Sequence, residues 1–467
     1  MTYILLVLLF VYLFGYSILL LLYRGGELNI LEKVGLSWFV GNGIYTFLIF
    51  LMGYFGLILS RENVFYLTSI LTVFVFFVFY FRCKCRVTSL FGRNMLPVLK
   101  KQSVIRSLRS VYPNVSPFII TLFVFLLVCS SFLYNFLVPP RNWDSIALYD
   151  SRARMLVKTP SIDSIAFERY YLVYPLGSSL SNFWVYIFGG NNPSFIDSIY
   201  YASFILVFYG VIRRTTSKIL ALMSVFIFSL NPQFYIHSTL GYANLWYAVL
   251  FASSLIYLWL WLRDNDKRGS LLLSALLLGL SFWVRSVEPF WVLPLFVVLF
   301  FSLKKRKIWY FILYLLIVYT FRYFWYSFVS RFYQHQAVAS LESSFPRYVH
   351  LLLSKNILQD ISVTLIDVAN GLFQNGRGVL FVVFGASWYL SSRKGVLARN
   401  VWQLIIVLGL VLLLIFGSIA FRISIIRPSD WNQLQDSLPR ILMFFVPVLI
   451  FFVANNLYLF FARDSKA

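Results

Sequence analysis

Apolar runs recur along this chain from one end to the other, each of about 18 to 22 residues and so long enough to cross a hydrocarbon core of roughly 30 Å as a helix. The stretch 401–420 (VWQLIIVLGLVLLLIFGSIA) is typical, its apolarity continuous rather than alternating. In lipid every backbone polar group must find its partner inside the membrane, which a helix provides within its own segment and an open sheet does not. A transmembrane β-barrel would instead show alternating strands of about ten residues. Only 12% of the 467 residues are charged, against about 25% in a soluble globular chain. Too little charge is present to cover a water-facing surface. The fold class expected is therefore all-α, a polytopic protein of the cell membrane.

Crossings are predicted at 3–23, 36–59, 64–82, 117–138, 195–212, 219–236, 243–262, 270–284, 289–303, 308–328, 377–391, 401–420 and 441–461, about thirteen in all. The net charge of +23 would suit a nucleic-acid partner, but the cations fall in short clusters between apolar runs, as the positive-inside rule requires. No nucleic acid is expected. Loop 82–116 carries Arg82, Lys84, Arg86, Arg93, Lys100, Lys101, Arg106 and Arg109 and no acid, which makes it cytoplasmic. It is either a solvated basic face or, with Leu96, Leu99, Ile105 and Leu108 among the cations, a helix on anionic membrane lipids. With the thirteen crossings the other basic clusters (Arg213/Arg214/Lys218, Arg263 to Arg268, Lys304 to Lys307, Arg393/Lys394 and Arg463) share its side. The apolar run 177–189 is not counted, because a crossing there would turn Arg213 and Arg214 outward. It is expected to lie at the outer interface, where Trp184 and Tyr186 suit the headgroup region.

Two parts follow: residues 1–116, three membrane helices and the basic loop, and residues 117–467, a membrane module with outer loops 139–194, 329–376 and 421–440. No small-residue cleavage site follows the first run, which reads as a retained helix. Cys83, Cys85 and Cys129 imply no disulfide framework.

Loop 139–194 concentrates the chemistry. It holds Asp144, Asp150, Asp163 and Glu168 beside Arg141, Arg152, Arg154, Lys158 and Arg169. Pro139 and Pro140 end the preceding helix, and Trp143 then stands next to Asp144. A carboxylate held just above the bilayer beside an aromatic ring is a candidate general base. Asp144 can equally cap a helix running from Ser145 to Met155, in which Asp150 and Arg154 would pair at i,i+4. Arg285 and Arg440 fall at the outer face, where a positive charge opposes the loop bias and is costly near lipid. Each needs a counter-group. That group is a lipid phosphate, which arginine grips with its planar fork, or an internal partner such as Glu288, three residues beyond Arg285. His237, His335 and His350 also fall near the outer face.

Trp143-Asp144, Tyr149 with Arg152-Ala153, and Tyr174-Pro175-Leu176 together resemble the first outer loop of the GT-C glycosyltransferases, membrane enzymes that use polyprenyl-phosphate sugars. Among these the likeness is to family 39 and to mannosyl- and aminoarabinosyl-transferase-like proteins. It continues in His237-Ser238-Thr239-Leu240-Gly241-Tyr242-Ala243-Asn244 and in Trp283-Val284-Arg285-Ser286-Val287-Glu288-Pro289, which resembles a basic-x-x-Glu hairpin. Ser437-Leu438-Pro439-Arg440, followed by Phe444-Phe445-Val446-Pro447, resembles the C-terminal Arg–Pro helix. The resemblance covers 117–461 and leaves the three N-terminal crossings outside. It departs from the pattern at Leu176, where a second proline is usual, at Arg152, where lysine is common, and at Asn244, where aspartate is frequent.

The resemblance implies transfer of a sugar from a polyprenyl-phosphate-linked donor to a lipid, glycan or protein acceptor on the extracytoplasmic side. Asp144 would be the base or acceptor-orienting carboxylate and Asp150 the second carboxylate. Arg285 and Arg440 would meet the leaving phosphate, with Trp143, Arg152, Tyr174, Tyr242, Asn244 and Glu288 lining the substrate site. Loop 329–376 would cover the site or contact the acceptor. Because such enzymes sometimes use a divalent cation, Mg or Mn, Asp144 and His237 are its candidate ligands. A polymerase or ligase of lipid-linked glycans would keep the helices and outer arginines without requiring Asp144. A transporter or flippase would place charges and broken helices at the midplane between repeated halves, and the chain shows neither a repeat nor a mid-helix charge cluster.

Overall fold

The computed structural model describes residues 2–23, 27–90, 117–172, 174–264, 268–285, 289–332, 357–373, 376–393, 397–424 and 438–464. Among them every regular element is helical. Among the described residues nine helices are long and apolar enough to cross a membrane, and each coincides with a predicted crossing. The other predicted crossings fall on shorter apolar helices, Lys218–Ser229, Arg268–Val284, Val292–Lys304 and Arg377–Ser391. The protein is an all-α polytopic membrane protein. Its chain divides into two compact bodies, residues 1–164, 177–241 and 454–467 in the first, residues 165–176 and 242–453 in the second.

The first body contains α1 (Thr2–Leu22), α2 (Ile30–Tyr54), α3 (Arg61–Leu90), α4 (Pro117–Leu137), α5 (Ser151–Lys158), α6 (Gly177–Ile187), α7 (Phe195–Thr215), α8 (Lys218–Ser229) and α9 (Pro232–His237). Helix α2 is its centre and packs against α1, α6 and α7. The α1–α2 crossing depends on missing side chains: a Cβ on Gly15 would run into the Ser37 carbonyl, and one on Gly41 into the Val11 carbonyl. Small residues let membrane helices approach backbone to backbone where no hydrophobic effect drives them together. At the start of α2, Asn29 accepts from the Leu31 and Glu32 backbone N–H groups at 2.8 and 3.0 Å. Glu32 is fully buried and receives Nε and Nη2 of Arg214, each at 2.9 Å. A charge at that depth persists because it is paired in a fork geometry.

Three expectations change here. The indole of Trp184 does not face out of the protein. It is fully buried and donates to Asn42 of α2 at 3.2 Å, while Asn42 donates to Ser181 at 2.9 Å and Tyr200 at 3.1 Å. A tryptophan whose N–H finds a partner is at home in a core, so α6 is a packed helix. The predicted crossing 219–236 is divided: α8 ends at Ser229, and Asn231 starts α9 by accepting from the Gln233 N–H at 3.1 Å, with Pro232 in the first turn. The third concerns the basic loop, whose first residues continue α3 to Leu90. Residues 91–116, and the side chains of Cys83 and Cys85, lie outside the described set.

The second body contains α10 (Ala243–Arg263), α11 (Arg268–Val284), α12 (Val292–Lys304), α13 (Trp309–Phe332), α14 (Ile357–Phe373), α15 (Arg377–Ser391), α16 (Leu397–Ser424) and the first part of α17 (Phe445–Asp464), the last preceded by a 3-10 turn at Leu442–Phe444. Helix α10 is buried throughout and packs along α11. Ser254, Ser274 and Tyr314 join α10, α11 and α13 through hydroxyl bonds of 2.8 to 3.2 Å. Expected outer loop 329–376 contains α14, which buries Thr364, Asp367 and Val368 on one face. Expected loop 421–440 is shortened at both ends, because α16 runs to Ser424 and helical backbone resumes at Leu438.

Candidate active site

In the first body the chain leaves α4 through Pro139 and Pro140 and turns helical again at Trp143. Trp143 is 78% exposed, and Asp144 beside it is half-buried. The capping alternative for Asp144 does not hold: its backbone is already right-handed helical (φ −61°, ψ −35°) and its carboxylate makes no capping bond. Residues Ser145–Asp150 then form a π-helical turn. The Ser151 N–H reaches back five residues to the Ile146 carbonyl, and the Ser151 hydroxyl donates to the same oxygen at 2.6 Å. Such wide turns are rare and recur at functional sites.

The π turn leads into a compact polar group. Asp150 is buried and takes Arg154 Nε on Oδ2 at 2.6 Å, the i,i+4 pair expected from spacing. Its other oxygen accepts from the Tyr186 hydroxyl of α6. Arg154 closes the triangle, donating through Nη2 to the Tyr186 oxygen at 3.0 Å with its Cζ 4.8 Å from that ring. Burial first, and then the hydrogen bond to Asp150, push the Tyr186 phenol above its ordinary value, and the hydrogen bond that Arg154 donates to Asp150 raises Arg154. Both therefore stay protonated donors at neutral pH. Arg152 is fully buried, its Nε on the Leu148 carbonyl at 3.2 Å and its Cζ 5.6 Å from the Tyr149 ring.

The Trp-Asp segment and the His237–Gly241 segment come together in this body. Asn142 donates to the Leu240 carbonyl at 3.4 Å. Gly241 has φ +73°, and a Cβ there would fall on the Ser145 hydroxyl and 3.9 Å from Asp197 Oδ2. Beneath them Asn135 donates to the Ser198 hydroxyl at 2.8 Å and the Ser238 carbonyl at 2.6 Å. Ser131 bonds Ser198 at 2.9 Å and Ser238 at 2.8 Å. These bonds among buried hydroxyls and amides tie α4, α7 and the 237–241 turn together, although Asn135 Oδ1 finds no partner among the described residues. His237 is buried at the end of α9. Among the described residues no three His, Cys, Asp or Glu side chains gather as metal ligands.

In the second body Arg285 stacks its guanidinium 5.2 Å from the centroid of Tyr174, and both are half-buried. Glu288, the expected partner of Arg285, lies outside the described residues, as do His335 and His350. Tyr242 precedes α10 and makes no side-chain cap; Asn244 is buried in the first turn, its Oδ1 without a hydrogen-bond partner among the described residues. Arg440 is half-buried, and the carbonyl of Pro439 before it accepts from Arg377 Nη1 at 3.4 Å.

Sequence reasoning missed Tyr186 as a partner of Asp150, and it missed Asp197, Gly241 and Arg377. Asp197 carried a signal, an acid at the start of an apolar run. Gly241 carried one also, a lone glycine just before a helix.

No curated protein and no solved structure matches the chain. Residues 175–325, which include Asp197, the His237–Asn244 segment and Arg285 but not Asp144, Asp150 or Arg440, match the family model of the dolichyl-phosphate-mannose-protein mannosyltransferases.

Proposed function

We propose that the protein is a membrane glycosyltransferase that moves a sugar from a polyprenyl-phosphate donor to a lipid, glycan or protein acceptor on the extracytoplasmic face. The observation that carries this reading is the family match over residues 175–325, a family described by a lipid-phosphate sugar. Asp144 takes the proton of the acceptor nucleophile, or orients it, as the nucleophile attacks the anomeric carbon. The bond from that carbon to the phosphate oxygen breaks, and the polyprenyl phosphate leaves with the electron pair. A single displacement inverts the anomeric centre. Asp150 has both oxygens occupied by Arg154 and Tyr186, so as second carboxylate it acts by holding the turn that carries Asp144. Trp143 and Arg152 on that turn, and Tyr242 and Asn244 at the head of α10, contact the sugar or acceptor. The guanidiniums of Arg285 and Arg440 stabilise the charge that builds on the leaving phosphate. The Tyr174 ring beside Arg285 favours the guanidinium by about 0.5–2 kcal/mol.

The test is release of polyprenyl phosphate and transfer of label from a panel of synthetic polyprenyl-phosphate hexoses and pentoses, using detergent-purified protein and a membrane extract as acceptor. Turnover of at least one donor is expected, with a raised donor KM in Arg285→Gln. Neither transfer nor donor hydrolysis with any donor would overturn the proposal.

A further inference from the structure

Arg377 has no place in the chemistry described so far, yet its side chain is fully buried. A guanidinium is costly to remove from water, so its burial calls for a specific partner. Helix α15 starts at this residue because Gly376 holds φ +76°, a left-handed conformation that residues with a Cβ rarely adopt. Arg377 Nη1 donates to the carbonyl of Pro439 at 3.4 Å. That carbonyl belongs to the peptide unit whose nitrogen is Arg440's own, and a peptide unit moves as a rigid plane. The same stretch is held from a second element: a Cβ on Gly371 of α14 would lie 3.3 Å from Leu438 Cβ and 3.5 Å from Leu442 Cδ1. Residues 438–442 are thus seated between α14 and the first turn of α15, where the chain enters its last helix.

We infer that Arg377 is a positioning residue for donor binding: it fixes the Pro439–Arg440 peptide so that Arg440 is presented to the donor phosphate. This rests on the reading of Arg440 as a phosphate ligand. Arginine suits the task because it stays charged at any working pH and offers a rigid planar donor set.

The test compares wild type, Arg440→Gln, Arg377→Gln, Arg377→Lys and the Arg377→Gln/Arg440→Gln double variant. Donor KM, acceptor KM and kcat are measured for transfer from a polyprenyl-phosphate sugar, with thermal unfolding in detergent as the fold control. Arg377→Gln is expected to raise donor KM about tenfold, the scale of a lost charged hydrogen bond, with acceptor KM unchanged. Arg377→Lys keeps the charge and should fall between wild type and Arg377→Gln even if the glutamine variant folds poorly. In the double variant, donor KM should be no worse than in Arg440→Gln alone, because Arg377 acts only through Arg440. A purely structural residue would lower stability without moving donor KM, or would multiply the Arg440→Gln defect, and either result overturns the inference. Unchanged donor KM in Arg440→Gln would instead remove the phosphate reading of Arg440, and the inference with it.

Discussion

Alanine at Gly241 should disturb the candidate site in two separable ways. The backbone there has φ +73°, and the left-handed region costs a residue with a Cβ about 1–2 kcal/mol. The new methyl would also overlap the Ser145 hydroxyl and sit 3.3 Å from Ser145 Cβ. Overpacking of that kind costs about 1–3 kcal/mol more, so Gly241→Ala should lose roughly 2–5 kcal/mol in all. Gly189 supplies the control, with φ +88° and nothing within 4 Å of its virtual Cβ, so Gly189→Ala should show the backbone cost alone. Adding Ser145→Ala to Gly241→Ala removes the struck oxygen and should recover most of the difference. Reversible unfolding of the detergent-purified variants measures the stabilities, and label transfer measures the site. Because Asp144 adjoins Ser145, a displacement approaching 1 Å should reduce transfer by on the order of 10²-fold. If Gly241→Ala proved no less stable than Gly189→Ala, or if Ser145→Ala rescued nothing, the close approach of the 237–241 turn to the π turn would be refuted.

Further outcomes are expected elsewhere. Glu32→Gln takes the carboxylate from the Arg214 guanidinium, whose side chain is 19% exposed, so the loss should be about 1.5–3 kcal/mol, the scale of hydrogen bonds to a charged group. Replacing both residues by apolar ones of similar size should cost less, and unfolding of the three proteins checks the order. Tyr186 gives a pH signature. Its phenol is raised above its ordinary value of 10.0, so the stability it contributes is complete below pH 10 and is lost as pH climbs through the higher folded value. Wild type should therefore lose stability above about pH 10 more steeply than Tyr186→Phe, with a constant offset below it; parallel curves throughout would contradict the assignment.

The membrane helices were legible because hydrocarbon thickness sets a length that few other constraints share, and the long runs met it. The Asp150–Arg154 pair was legible for a similar reason, since helical spacing puts i and i+4 together. Tyr186 was not, because its approach to Asp150 bridges 36 positions and depends on how α6 packs. No periodicity revealed that Trp184 of α6 would turn inward to Asn42 rather than outward from the protein. The π turn leaves no compositional trace at all. Helix α14 hid in an expected loop because only one of its faces is apolar. At Arg377 the composition was ambiguous, since an arginine opening an apolar run reads as an interfacial anchor until its contact with Pro439 is seen.

The most direct test of the proposed function is transfer of radiolabelled sugar by wild type and Asp144→Asn side by side, both confirmed folded by their elution and unfolding profiles, with parallel lanes containing EDTA. The account predicts transfer by wild type and its loss in Asp144→Asn, and the EDTA lanes report separately whether a divalent cation takes part. Full transfer by a correctly folded Asp144→Asn would contradict the role given to Asp144 and favour a lipid-linked glycan polymerase or ligase.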